Sequence, residues 1–170
     1  MKLPALNTAL DGLHLACIWV AGAAIAAMSL IVPVGVFMRY VLGVGAQWPE
    51  PIAILLMMAF TFIGAAAAYR AGAHIGVTML TDALPPAAQA VCRWAVLALM
   101  ALICGFVLIY GTRLSLETMG QGVAELPGLP VGVTYAPIPL GALATLLFVI
   151  EQMLTGSQAQ RPVVAYEDHH

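Results

Sequence analysis

With 62% hydrophobic and only 8% charged residues, this 170-residue chain lies far from the roughly 45–50% apolar content of a globular domain. Its formal net charge of −2 leaves no basic patch to neutralise phosphates, which excludes a nucleic-acid partner. The longest polar interval runs from Arg113 to Tyr135, too short for a soluble catalytic domain.

Charged side chains bracket four uncharged intervals, at 12–38, 51–69, 94–112 and 126–150. A helix needs about 20 apolar residues to cross a hydrocarbon core of roughly 30 Å. Lipid cannot hydrogen-bond an open backbone, so such runs are stable there only as helices. The fold class that follows is an all-α integral membrane protein: a polar head at 1–13, one compact four-helix membrane unit over 14–156 and a polar tail at 157–170. The expected spans are about 14–38, 51–69, 87–113 and 135–154.

In chain order, Asn7, Thr8 and Asp11 are placed to cap the first helix, and Pro33 to bend it. Ala24-Ile25-Ala26 has the small-x-small form of a signal cleavage site. The apolar run continues through Phe37, however, so a retained helix is expected. Arg39 and Tyr40 stop span one as interfacial anchors, and Trp48 anchors the start of span two beside Glu50, which favours the positive end of its dipole. Gly64, Ala68 and Gly72 recur at four-residue spacing on span two, and span one carries a similar small-residue surface at Gly22 and Ala26. Small residues let helix backbones approach closely in lipid, without saying which helix approaches. Span two ends at Arg70, and the following segment, with His74-Ile75-Gly76-Val77, is expected to form a short interfacial helix. Span three can run on to Thr118, with Arg113 and Glu117 spaced for a helical ion pair. The Gly- and Pro-rich loop from Gly120 to Thr134 reads as irregular, and span four follows. His169 and His170 carry no functional weight.

Lys2, Arg70, Arg93 and Arg161 fall on one side of the membrane against Arg39 and Arg113 on the other, which favours cytoplasmic termini. Cys17, Cys92 and Cys104 form no CxxC pair and read as small packing residues. No ionisable residue stands at the centre of any span, whereas a self-sufficient transporter usually displays one there. His14 and His74 lie on one side, so a haem-bearing electron-transfer anchor stays open, although end-of-helix histidines are more often structural. No nucleophile triad or metal-ligand cluster occurs, and no enzyme activity or cofactor is expected.

One ordered set of motifs is more specific. Arg39-Tyr40-Val41-Leu42-Gly43, Trp48-x-Glu50, Gly64 with Arg70, His74-Ile75-x-Val77, Leu129-Pro130 and Tyr135-Ala136-Pro137-Ile138-Pro139-Leu140-Gly141 together resemble the DctQ-type small membrane subunit of tripartite ATP-independent periplasmic (TRAP) transporters. The resemblance spans roughly residues 14–155; it departs where Pro51 and Thr78 stand at positions often acidic in the family. It implies a scaffold subunit in the bacterial inner membrane that braces a large polytopic subunit. That partner would import organic acids with sodium, and a periplasmic substrate-binding protein would deliver them. Any sodium site is then expected in the large partner. Under this resemblance Arg39, Tyr40, Trp48, Glu50, Arg70, His74, Pro130, Tyr135 and Pro139 are candidate contacts to the partners or to membrane lipids. For Arg39, Tyr40 and Trp48 generic anchoring is an equal reading; so is a helix-start role for Glu50, and snorkelling or a solvated loop for Arg70 and His74. The alternative function is a self-sufficient homo-oligomeric transporter.

Overall fold

The computed structural model describes residues 4–72 and 85–156. His74, the expected interfacial helix and the tail at 157–170 lie outside the described residues. The chain forms α1 (Pro4–Tyr40), α2 (Pro49–Arg70), α3 (Pro86–Glu117), a hairpin of β1 (Gly122–Val123) and β2 (Leu126–Pro130), then α4 (Val131–Tyr135) and α5 (Pro137–Thr155). Among the described residues, four spans are long and apolar enough to cross a membrane, the last taking in α4 and α5.

Helix lengths separate into two classes. The 22 residues of α2 and 19 of α5 rise about 33 and 28 Å, close to the hydrocarbon thickness. The 37 residues of α1 and 32 of α3 rise about 55 and 48 Å, so these two tilt or project beyond it. The start of α1 corrects the expected polar head. Pro4 stands in the first turn, where its missing N–H costs nothing, and Asn7, Thr8 and Asp11 lie within the helix rather than capping it. Pro33 is carried inside the same helix.

The extensive contacts run from α1 to α2, from α2 to α5 and from α5 to α3. The helices therefore form an open row, with α1 and α3 at its ends, rather than the compact unit expected. Each outer helix keeps most of its apolar surface uncovered: Leu30 is 70% exposed on α1 and Leu102 is 67% exposed on α3. The core lies where α1, α2 and α5 meet, and contains Leu10, Cys17, Ala66, Ala67, Ala144 and Phe148. Cys17 fills the packing role expected of it, and Cys104 is buried on α3.

The expected small-residue faces need correction. Helix α1 buries Leu10, His14, Cys17, Ala21 and Ala24, a 4-3-4-3 stripe, whereas Gly22 and Ala26 point outward. One residue is about 100° of helical rotation, and the stripe that carries His14 to α2 is the one turned inward. Gly64 does face α1, with Ala21 Cβ at 3.4 Å from where its own Cβ would stand, and Ala68 is half-buried. Gly72 lies beyond the end of α2 with φ +69°, in the left-handed region that glycine adopts without a Cβ penalty, so it serves the turn instead of a packing face. A closer approach is made elsewhere. A Cβ on Gly141 of α5 would stand 2.5 Å from the Phe62 carbonyl oxygen of α2.

The loop after α3 is also more ordered than expected. Gly122 pairs with Pro130 and Val123 with Leu126, with an irregularity between them. Backbone bonds from Val131 N to Gln121 O (2.8 Å) and from Gly132 N to Thr118 O (3.3 Å) fold the segment back over the end of α3. The Ser115 hydroxyl donates to Gly132 O at 2.7 Å, and Gly132 is buried against Ser115 and Met119, where a Cβ would collide with backbone.

Candidate functional site

The described residues concentrate their buried charge in one place, the junction of α1, α2 and α5. Chain direction brings the start of α1 and the ends of α2 and α5 to the same end of the row, which juxtaposes Asp11, Arg70 and Glu151. Arg70 Nε donates to Glu151 Oε2 at 2.8 Å and Nη2 to Glu151 Oε1 at 2.7 Å, a bidentate pair. Nη2 also donates to Asp11 Oδ1 at 2.6 Å, and Nη1 to the Leu10 carbonyl at 3.0 Å. The guanidinium carbon stands 5.3 Å from the centre of the Phe148 ring. Side-chain exposure is 4% for Arg70 and 1% for Glu151, against 48% for Asp11, so the Arg70–Glu151 pair is shielded from water while Asp11 forms its open edge.

Two further bonds extend the cluster. Ala67 O accepts both the Ala71 N–H of its own helix, at 3.1 Å, and a bond from His14 Nε2, also at 3.1 Å. Because a carbonyl only accepts, Nε2 carries the proton. His14 is buried and meets Phe148 edge-on at 5.9 Å. Tyr69 donates its hydroxyl to Gln152 Oε1 at 2.8 Å. Tyr69→Phe is expected to cost about 0.5–1.5 kcal/mol, read by thermal unfolding in detergent. Unchanged stability would show that the Tyr69–Gln152 bond contributes nothing net.

This geometry corrects the reading of Arg70. Four of its five N–H donors are held within the chain, so it neither snorkels nor offers a free guanidinium to lipid or to another subunit. Sequence reasoning missed Asp11 and Glu151 as its partners. The available signal was topological: both carboxylates and Arg70 bound uncharged intervals at the same end of the row. His14 is structural, and no group of three or more metal-ligating side chains occurs among the described residues.

The other candidates divide by location. Arg39, Tyr40, Trp48 and Glu50 cluster where α1 gives way to α2, all exposed, with Tyr40 at 78%. Pro130 closes the hairpin and precedes α4, Tyr135 ends α4, and Pro139 lies against Gly111 of α3; all three are half-buried within the chain's own fold. Arg113 lies 6.0 Å from the Tyr110 ring centre, and its expected ion pair with Glu117 does not form among the described residues.

Among the described residues, the charges shielded inside the row, Arg70 and Glu151, bond each other. The family profile described as "Tripartite ATP-independent periplasmic transporters, DctQ component" matches residues 28–159. The chain belongs to the DctQ family. A TRAP transporter small permease protein of Haemophilus influenzae is 31% identical over 132 residues, 77% of this chain and 81% of that protein. The ectoine TRAP transporter small permease protein TeaB of Halomonas elongata is 27% identical over 108 residues, 63% of this chain and 56% of that one. DctQ subunits are transport components rather than enzymes, and membership implies association with a large permease and a binding protein.

Proposed function

We propose that this DctQ subunit is a rigid membrane brace for the large permease of a sodium-coupled importer of organic acids. It lies in the bacterial inner membrane with both termini in the cytoplasm. The observation that carries the reading is the state of the buried charges: Arg70 and Glu151, the only charged residues buried among the described ones, bond each other. Intramembrane ionisable groups that serve an ion pathway face a water-filled cavity, whereas this pair is shielded from water. Here the ion pair instead ties α2 to α5, and the Arg70 bonds to Asp11 and Leu10 add α1, while the exposed apolar flanks of α1 and α3 are left for lipid and for the large permease. Sodium belongs to the large permease on this reading, and this subunit holds no cofactor. The face formed by the hairpin and the start of α2 is turned to the periplasm, where the binding protein docks.

Purification in mild detergent from native membranes is expected to bring down a roughly stoichiometric polytopic partner. In proteoliposomes, sodium-driven uptake is expected only when both membrane subunits and the binding protein are present. Uptake by this chain alone would overturn the brace reading in favour of a homo-oligomeric transporter. Uptake by the full system that ignores the sodium gradient would overturn the coupling.

A further inference from the structure

A cleft of about 490 Å³ lies between α1 and α2 at the end opposite Arg70. Its floor is the contact between Gly35 and Pro49, where a Cβ on Gly35 would stand 2.9 Å from Pro49 Cβ. Val32, Val36, Ile54 and Met57 form apolar walls, and Arg39 and Glu50 both stand among its lining residues. On α1 it extends from Met28 to Tyr40, about 18 Å at the helical rise, which is close to one leaflet of a hydrocarbon core roughly 30 Å thick. Tyr40 and Trp48 mark its outer end as headgroup depth, where such rings collect. The cleft therefore begins at the headgroups and runs inward for the length of an acyl chain. A helix, about 10–12 Å across, would exceed its volume over the same length.

Charge selects the headgroup. Neither Arg39 nor Glu50 makes an ion pair among the described residues, and both are exposed. A cation and an anion at one mouth suit a zwitterion whose phosphate faces the guanidinium and whose N–H donors face the carboxylate. An anionic headgroup would satisfy Arg39 but meet Glu50 as a like charge, and a quaternary ammonium has no N–H to donate. We infer that this cleft binds a diacyl phospholipid with a primary-ammonium headgroup, phosphatidylethanolamine in chemical class, with Arg39 on the phosphate, Glu50 on the ammonium and one acyl chain between α1 and α2. The inference requires only that the chain span a bilayer, so it stands or falls separately from the brace reading.

The test is native mass spectrometry of the delipidated complex after addition of phosphatidylethanolamine, phosphatidylcholine or phosphatidylglycerol with matched acyl chains. The ethanolamine lipid is expected to bind about fivefold tighter than the other two, the scale of an exposed ion pair. Glu50→Gln is expected to erase that preference, and Arg39→Gln to weaken all three lipids. Ile54→Trp, which fills the cleft without touching either charge, is expected to remove the bound lipid. Equal binding of the three lipids by the unaltered chain, a preference that survives Glu50→Gln, or undiminished binding to Ile54→Trp would each overturn the assignment. So would efficient cross-linking of Ile54→Cys to the large permease in native membranes, because a protein segment would then occupy the cleft.

Discussion

Glu151→Ala is expected to destabilise the subunit by about 3–5 kcal/mol, the scale for removing one partner of a buried ion pair. Arg70 cannot relieve the loss by giving up its proton, because a guanidinium stays charged at any accessible pH. The half-exposed Asp11 and the Leu10 carbonyl would remain as its acceptors, with two of its present bonds gone. Asp11→Ala, by contrast, removes a partner whose side chain is 48% exposed, and its cost is expected at about 1 kcal/mol or less. Replacing both members, Arg70→Met with Glu151→Leu, is expected to recover most of the loss, since an apolar pair of similar volume needs no desolvation. Thermal unfolding in detergent checks the series, and equal costs for Asp11→Ala and Glu151→Ala would sink the picture of a shielded pair. The double variant also tests whether Arg70 acts only within the chain. Undiminished co-purification of the large permease with it is the expected result.

The parts of this fold legible in the sequence are those decided by solvation. A charge is costly in hydrocarbon, so the uncharged interval at 51–69 marked α2 closely, while the one at 126–150 held most of α5 but also β2 and α4. The same reasoning misplaced the start of α1, because Asp11 was read as capping the first helix from outside it. It is carried inside the helix with its side chain 48% exposed, and Arg70, distant in sequence, reaches it. Helix rotation was hidden for a related reason. Gly22 and Ala21 are adjacent, and both neighbouring stripes are small and apolar, so hydrophobicity does not choose between them. The choice falls to His14, whose proton needs the Ala67 carbonyl. The hairpin was missed because its pairing is short and irregular, with two prolines inside the second strand.

Gly141→Ala is expected to cost about 1–3 kcal/mol, the usual range for forcing extra volume into a packed contact. The added Cβ would meet Phe62 O at 2.5 Å and Phe62 C at 2.6 Å. These are backbone atoms of α2, so no rotamer change relieves the clash and α5 must move away bodily. That displacement reaches the ion pair: Glu151 stands ten residues further along α5, about 15 Å by helical rise, and a helix pushed off at Gly141 cannot keep the geometry with Arg70. Two glycines serve as controls. At Gly64 the added Cβ would make an ordinary contact with Ala21 at 3.4 Å, so Gly64→Ala is expected to change stability by about 1 kcal/mol or less, with alanine's helix preference acting in its favour. Gly22 has nothing within 4 Å of the added carbon, and Gly22→Leu is expected to leave unfolding unchanged within about 0.5 kcal/mol. Unfolding in detergent distinguishes the three, and a Gly141→Ala subunit as stable as the parent would mean that α2 and α5 do not approach so closely. Gly22→Leu then has a second use. Because its intramolecular effect is nil, any loss of the co-purifying permease assigns the Gly22–Ala26 stripe to the interface between subunits, and full retention assigns it to lipid.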